Sequence, residues 1–234
     1  MPLRHGLSLL TLGVVLTASP ALADDGSGPR VTWGLGVQSD YILRGVSQTE
    51  DRPSAYASAE ASDHGLYAGV STANVDLGAL GDPHARQEVD LYGGFRHALA
   101  GVDLDVGVLR YAYPNAGAGP TPDHTEYYLK ASRRFGRLTV GTEAYKTFHY
   151  AFGEGSAFYY EANAAYAFDR DWTVMAAAGR QDIQHATDYF NWNVGVRRRL
   201  SDHLSLEGRW YDMGKVGNTP PPSSHGLIAL KASF

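Results

Sequence analysis

Charged residues recur at every second position of several otherwise apolar segments of this sequence. Within residues 87–99, for example, Asp90 and Arg96 alternate with Val89 and Leu91. Side chains of a β-strand point alternately to opposite faces, so such a segment has one charged face and one apolar face. We interpret the charged set as candidate residues lining a water-filled interior. They are Asp40, Arg44, Asp90, Arg96, Asp103, Asp105, Lys130, Glu143, Glu161, Arg197, Arg199, Glu207, Arg209 and Lys231.

A charged interior of this kind has two interpretations. Charges of both signs could set a transverse field across a narrow channel and select solutes by charge and dipole. Alternatively, ion pairs could fill the interior and hold a small, plugged barrel together. Barrels of about eight strands have filled interiors and those of about sixteen to eighteen leave an aqueous channel. The strand number expected here lies between these limits, so both interpretations stay open.

A turn-rich segment follows the first predicted strand. Asp40, Arg44 and Glu50 could fold over the mouth of a barrel and constrict it. The alternative is that Arg44-Gly45 and the sequence around Pro53 simply form turns with an internal ion pair. The sequence alone supports either role.

Histidines lie in or beside several predicted connections, where we expect solvent-exposed polar side chains. No two of them have the i, i+2 or i, i+4 spacing that would bring two imidazoles together, so we predict no metal site. No segment resembles a nucleophile elbow, and without cysteine there is no thiol nucleophile, thiolate site or disulfide. We therefore predict no catalytic residue and no cofactor; a barrel-borne lipid hydrolase using Ser and His is the enzymatic alternative. The histidines are His64, His84, His124, His185, His203 and His225.

Aromatic residues cluster near the ends of the predicted strands. Such residues typically anchor a membrane protein at the two membrane–water interfaces, and we expect this role here. Stacking against a sugar or an aromatic solute is the alternative. The residues are Tyr111, Tyr113, Tyr127, Tyr128, Tyr145, Tyr150, Tyr159, Tyr160, Tyr166 and Trp172.

Twelve segments have the alternation or composition of strands, and no segment has helical periodicity. Most approach the roughly 9–11 residues that cross a bilayer at a tilt. Very short connections, such as Asp63-His64 and Gly136, alternate with long ones, as in up-and-down outer-membrane barrels. The predicted spans are 30–41, 54–62, 65–75, 87–99, 101–113, 125–135, 137–148, 157–168, 172–180, 189–200, 204–211 and 226–234.

The direction of the two faces decides the environment. Burying so many charges in a dry core would cost several kcal/mol per ion even after relaxation. Placing the apolar face against lipid and the charges in a wet lumen removes that cost. We therefore expect a membrane barrel, with a soluble periplasmic β-protein as the alternative.

The start of the sequence predicts export. Arg4 precedes an apolar stretch over residues 6–17, and Ala21 and Ala23 supply the two small residues that a signal peptidase requires; together they form a secretory signal pattern. We predict a cleaved signal peptide over residues 1–23 and one outer-membrane β-barrel domain over residues 24–234.

The end of the sequence predicts a closing barrel strand. Ile228, Leu230, Ala232 and Phe234 share one face of an alternating segment. In outer-membrane barrels as a class, an aromatic residue ending such a strand is the assembly signal, so we assign that role to Phe234.

Two motifs of the sequence resemble the TorF porin family of proteobacterial outer membranes. The first is residues 39–49 (SDYILRGVSQT) followed by Pro53. The second comprises residues 88–95 (EVDLYGGF) and 105–114 (DVGVLRYAYP). Together they cover about the first half of the mature chain, and the second half is similar in architecture only. The resemblance implies a porin-like barrel, with no substrate and no catalytic residues.

The sequence thus predicts an all-β fold: a transmembrane, antiparallel, up-and-down β-barrel of about 12 strands with short periplasmic turns and longer extracellular loops. The expected function is passive diffusion of small polar or charged solutes through a porin-like channel in the bacterial outer membrane. Expected partners are outer-membrane lipids, the barrel-assembly machinery and the solutes, with no nucleic acid; the oligomeric state stays open. A sealed barrel with a structural or partner-binding role through its long loops is the alternative.

Overall fold

A computed structural model describes residues 28–214 and 224–234 of the chain. In these residues, twelve strands form one closed antiparallel barrel, which confirms the predicted fold class and strand number. No helix among the described residues is long and apolar enough to cross a membrane. The predicted signal peptide, residues 1–23, lies outside the described residues.

The barrel strands follow one another in sequence order, and a small hairpin lies between the first two. The barrel strands are β1 (Arg30–Gln38), β4 (Ser54–Asp63), β5 (Leu66–Asn74), β6 (Gln87–Leu99), β7 (Val102–Ala112), β8 (His124–Phe135), β9 (Leu138–Thr147), β10 (Ala157–Ala167), β11 (Trp172–Ile183), β12 (Tyr189–Arg199), β13 (Leu204–Gly214) and β14 (His225–Ser233). The small hairpin consists of β2 (Ile42–Leu43) and β3 (Val46–Ser47). Two 3₁₀ turns, Gly78–Leu80 and Ala151–Gly153, lie in the longer loops.

Short and long connections occupy opposite rims of the barrel. Two of the three two-residue hairpins turn through His64-Gly65 and Ala100-Gly101, and φ is positive at all four of these residues. Two consecutive residues with positive φ are typical of type I′ turns, whose twist matches that of paired strands. Because a type I′ turn needs only two residues, these hairpins keep one rim compact.

The two faces of the barrel wall differ sharply in polarity. Large apolar side chains, such as Leu91 and Ile228, are exposed on the outside, whereas Glu88, Asp90 and Glu207 are fully buried inside. A contiguous apolar exterior of this extent is unfavourable in water. A lipid bilayer is therefore the environment that this outer surface fits.

Tyrosine and glycine face each other across neighbouring strands inside the barrel. Gly36 of β1 pairs with Tyr56 of β4, and Gly69 of β5 pairs with Tyr92 of β6. A Cβ atom at either glycine would overlap the tyrosine ring opposite. Glycine at these positions therefore lets each ring lie flat on the barrel wall.

The predicted interfacial role is wrong for about half of the aromatic set. Tyr127 and Tyr160 are exposed on the outside, as are Tyr166 and Trp172. Tyr128 instead points inward, because consecutive strand residues face opposite sides of the wall. The inward-facing, buried or part-buried members are Tyr111, Tyr113, Tyr128, Tyr145 and Tyr159.

The first strand is shorter than predicted. It ends at Gln38 and not at residue 41, because the chain then turns into the barrel interior, where Tyr41 is buried. Conversely, β11 continues to Ile183, three residues beyond the predicted end at 180. The sequence predicted a turn at Arg44-Gly45 but not the two short strands, β2 and β3, on either side of it.

The last residue extends the seam where the barrel closes. Strands β1 and β14 pair from Gly34 with Ser233 to Gln38 with Ala229. Beyond this register, Trp33 and Phe234 exchange backbone hydrogen bonds of 3.1 and 2.9 Å. Their rings stack with centroids 4.1 Å apart, and the ring of His203 lies 4.9 Å from that of Phe234. The terminal aromatic ring therefore stabilises barrel closure in addition to any role in assembly.

We expect Phe234→Ala to lower the free energy of unfolding of the detergent-refolded barrel by about 1 kcal/mol, the contribution of one aromatic pair. The gel mobility of unboiled samples across a urea series measures it without the assembly machinery. Phe168→Ala is the matched control, since Phe168 ends an internal hairpin and packs against Tyr166 with centroids 5.1 Å apart. An unchanged free energy of unfolding in Phe234→Ala would contradict a stabilising role for the terminal ring, and Phe168→Ala gives the loss that an aromatic pair away from the seam produces.

Candidate functional site

The first loop, residues 39–53, folds into the barrel interior. Its β2–β3 hairpin pairs Ile42 with Ser47, and both Tyr41 and Ile42 are fully buried. The turn residues Arg44 and Gly45 have φ values of 50° and 88°. These values fit a type I′ turn, so the turn chemistry expected from the sequence is present at the tip of a hairpin inside the lumen.

Arg44 at the hairpin tip contacts the far wall of the barrel. Its guanidinium donates two hydrogen bonds to Glu126 of β8, of 2.8 and 2.7 Å, and a third of 3.0 Å to Gln181 of β11. It also lies over the rings of Tyr145 and Tyr159, 4.8 and 4.3 Å from their centroids. Since β8 to β11 lie opposite β1 and β4 in the barrel order, the hairpin crosses the whole lumen.

Gly45 fits the tip against two further strands. A Cβ atom there would lie 2.7 Å from Cγ of Met213 on β13 and 3.1 Å from Cβ of Asn191 on β12. With positive φ as well, the position favours glycine on both steric and conformational grounds. The tip is therefore closely packed against the wall.

Hydrogen bonds hold the base of the first loop. Tyr41 Oη donates to Glu88 Oε1 at 2.7 Å, and Tyr113 Oη donates to the other oxygen of Glu88 at 2.5 Å. Asp40 Oδ1 accepts hydrogen bonds from Ser47 and Thr49, of 2.7 and 2.8 Å. The loop therefore has its own polar framework in addition to the Arg44 contacts.

The second loop, residues 75–86, packs against the first, and its Val75, Leu77 and Ala85 share a buried cluster with Tyr41 and Ile42. The backbone N–H of Asp76 donates to the carbonyl of Gln48 at 2.7 Å, and the Asp76 carboxylate pairs with Arg52 and Arg86. Loss of water would raise the pKa of this carboxyl, but the Gly78 N–H and the two guanidinium groups lower its pKa below the usual range. The Asp76 carboxylate therefore stays ionised at neutral pH.

A second set of charges lies towards the short-turn rim. Arg96 of β6 donates two hydrogen bonds to Glu60, of 2.6 and 3.0 Å, and one of 3.3 Å to Asp105. Its guanidinium lies 3.6 Å from the centroid of the Tyr67 ring. Tyr67 in turn donates a hydrogen bond to Asp105. This cluster joins strands β4 to β7 across the inner face.

The rest of the inner face carries further ion pairs. Glu207 accepts hydrogen bonds of 3.0 Å from both Arg209 and Lys231. On the other side, Lys130 lies 3.8 Å from Glu143, whose register partner on β10 is Glu161. Acidic and basic side chains thus lie on both halves of the lumen.

The structure brings most of the sequence-predicted residues to one surface. Arg199 lies apart at the short-turn rim, where it contacts Asp171 and Asp202, and Asp40 lies in the first loop. Arg44 lies in the lumen at the hairpin tip. The remaining candidates occupy inward positions of the strands: Asp90, Arg96, Asp103, Asp105, Lys130, Glu143, Glu161, Arg197, Glu207, Arg209 and Lys231.

Sequence reasoning missed the partners of Arg44. Glu126 alternates with His124 and Tyr128 along β8, so the period of two could have placed it inside. Nothing local marks Gln181 as a partner, because the contact spans 137 residues of sequence.

The expected exposure of the histidines is wrong for two of them. His124 is buried, with its ring stacked 4.4 Å from that of Tyr111, and His225 is buried where β14 begins. Both face inward at the rim with long loops, so the surrounding loops cover them.

Comparison with solved structures shows similarity to outer-membrane barrels. The KdgM porin in complex with disordered oligogalacturonate superposes with a TM-score of 0.59 at 8% identity, covering 87% of this chain and 98% of that one. The NanC porin gives 0.56 at 11% identity, with coverages of 88% and 99%. The COG4313 outer membrane channel from Pseudomonas putida F1 gives 0.52 at 12% identity, with coverages of 88% and 94%. At these identities the similarity establishes the fold.

No curated protein matches the sequence. Residues 22–219 match the family described as "Bacterial protein of unknown function (Gcw_chp)". The TorF resemblance stays an interpretation of the two motifs, since the family match does not confirm that name. The match covers most of the sequence, and the chain belongs to the Gcw_chp family.

Proposed function

We propose that the protein is an outer-membrane channel for small polar or charged solutes, and that the first loop gates it. The chain is exported by its signal peptide, inserted by the barrel-assembly machinery and surrounded by outer-membrane lipids. Solutes cross by passive diffusion when the β2–β3 hairpin leaves the far wall.

The observation that carries the proposal is the position of Arg44. A lumen sealed only for stability could be filled by strand side chains, as in small barrels. Here a loop hairpin crosses the lumen, and three side-chain hydrogen bonds hold its tip. A hairpin attached at its base and held by polar contacts at its tip can be displaced without unfolding the barrel.

Exposure within the lumen supports a gate on the long-loop side. The side chains of Arg96 and Lys130, towards the short-turn rim, are 13% and 18% exposed. Glu126, beneath the hairpin tip, is only 2% exposed. The lumen is therefore less tightly filled beside Arg96 and Lys130 than beneath the hairpin tip.

The buried acids beneath the hairpin suggest the charge preference of the open state. Glu88 and Asp90 are fully buried and accept hydrogen bonds from tyrosine or serine, whereas Glu126 pairs with Arg44. When the hairpin leaves, Arg44 leaves with it and the three carboxylates face the lumen. An acidic constriction favours cations.

Similarity of fold supports a channel, because the porins and the channel compared above have the same architecture. A sealed barrel with a structural or partner-binding role is the second candidate. The dense filling around the hairpin tip favours it, and conductance separates the two. If the folded protein does not conduct, screening it for lipid hydrolysis tests the alternative of a barrel-borne hydrolase.

We expect Arg44→Ala to increase the open fraction of single channels in a planar bilayer and to shift the reversal potential towards cations. The substitution removes the contacts at the tip and leaves Glu126 without its counter-charge. Losing one member of a buried pair can cost about 3–5 kcal/mol of stability. Each sample should therefore first show a heat-dependent shift in gel mobility, which indicates a folded barrel.

The double variant Arg44→Gln with Glu126→Gln is the matched control. It loses the ion pair without leaving a buried charge, so we expect more frequent opening with a smaller selectivity change. Folded variants that all conduct as the wild type does would contradict gating by this pair. Silence in every folded variant would favour the sealed barrel.

A cross-link between the hairpin tip and the wall should close the channel. A Cβ atom at Gly45 lies 3.1 Å from Cβ of Asn191, near the separation of about 3.5–4.5 Å that a disulfide needs. Each variant also carries Met213→Ala, because Cγ of Met213 would lie 2.7 Å from a Cβ atom at Gly45 and would displace the tip. The chain has no cysteine, so Gly45→Cys with Asn191→Cys forms no competing disulfide. We expect no current steps when it is oxidised and their return after reduction. The two single variants are the controls, and conduction by the fully oxidised double variant would exclude the hairpin as the gate.

A further inference from the structure

Three ligand-bearing side chains meet beside the base of the first loop. Asp40 and Asp51 come from the loop and His225 begins β14, and one ligand atom from each lies within 4.8 Å of the others. His225 Nδ1 lies 2.6 Å from Asp51 Oδ1 and 3.6 Å from Asp40 Oδ2. Residues 40 and 225 lie near opposite ends of the sequence. They come together because β1 and β14 pair at the barrel seam.

Asp40 supplies an oxygen that the fold leaves unused. The residue is 2% exposed, and its Oδ1 accepts hydrogen bonds from Ser47 and Thr49. Its Oδ2 is buried and accepts no hydrogen bond within the described part of the chain. A buried carboxylate oxygen without a donor is unfavourable unless something else compensates its charge.

From this geometry we propose that Asp40, Asp51 and His225 bind a divalent transition-metal ion of the zinc class. One imidazole and two carboxylates suit Zn²⁺ and leave a fourth position for water. The ion would give Asp40 Oδ2 its partner and would tie the first loop to β14. Binding does not depend on whether the lumen conducts.

The distances require only a small adjustment. Ligand atoms about 2.0–2.1 Å from a tetrahedral ion lie about 3.3 Å from one another. The 3.6 Å between Asp40 and His225 is close to this value, whereas the 2.6 Å between Asp51 and His225 must lengthen. Asp51 can supply this movement, because its side chain is 69% exposed. The same exposure gives the ion a path from solution.

The chemistry distinguishes the site from a general acidic surface. Ca²⁺ prefers oxygen ligands in larger number, so a site with imidazole should select Zn²⁺ over Ca²⁺. An imidazole binds a metal ion only in its neutral form, so acidic solution should weaken binding.

The test is calorimetric titration of ZnCl₂ alone into the refolded mature chain, prepared without a polyhistidine tag. We expect saturable binding of one ion near neutral pH and much weaker binding of CaCl₂. Even outer-shell partners of metal sites cost about 10–100-fold in affinity when removed. Asp40→Asn and His225→Gln should therefore lower Zn²⁺ affinity by at least that factor.

Two further variants keep the test decisive. Asp51→Asn alters the exposed ligand and should fold even if the buried variants do not; its affinity should fall in the same way. The control is His64→Gln, because His64 forms a 2.7 Å pair with Asp63 at the opposite rim, and its Zn²⁺ binding should equal that of the wild type. No saturable binding by the wild type would overturn the proposal. So would full binding by folded Asp51→Asn or His225→Gln, or equal binding of Ca²⁺.

Discussion

The bidentate pair between Arg44 and Glu126 is the interaction that holds the first loop across the lumen. Two hydrogen bonds in fixed geometry bind the hairpin tip to the far wall more specifically than a single point contact could. Without this pair, Glu88, Asp90 and Glu126 would form a buried acidic region with no guanidinium contact. Both partners lose their hydration, so the pair is costly to form. Removing only one partner is more costly still, because the other charge is left buried and uncompensated. Such an interaction holds the hairpin tip in one defined position against the far wall.

The membrane imposes the second constraint. Lipid offers no hydrogen-bond partner, so every backbone group of a spanning strand must pair within the barrel. The seam between β1 and β14 satisfies this requirement, and the stacked Trp33 and Phe234 continue it to the last residue. Because the outer face must be apolar, most of the charged side chains of the barrel lie in the lumen and in the loops.

The period-two pattern predicted the wall of the barrel because it follows directly from strand geometry. It gave twelve strands, and it separated Leu91 outside from Asp90 inside. The same rule places Tyr127 and Tyr128 on opposite sides of the wall, whereas closeness to a strand end does not distinguish them. No local rule predicted the path of residues 39–53, since its contacts with Glu126 and Gln181 span 82 and 137 residues. The same limit hid the cluster of Asp40, Asp51 and His225, because the spacing of histidines alone contains no information about distant carboxylates.

The tyrosine–glycine pairs on the inner wall make pairs of positions interdependent in evolution. At Gly36 and Tyr56, or at Gly69 and Tyr92, a larger residue in place of glycine would displace the ring opposite. A smaller residue in place of tyrosine would leave a void over the backbone. The two positions of each pair should therefore be substituted together. Related barrels should either retain both the glycine and the tyrosine or replace both.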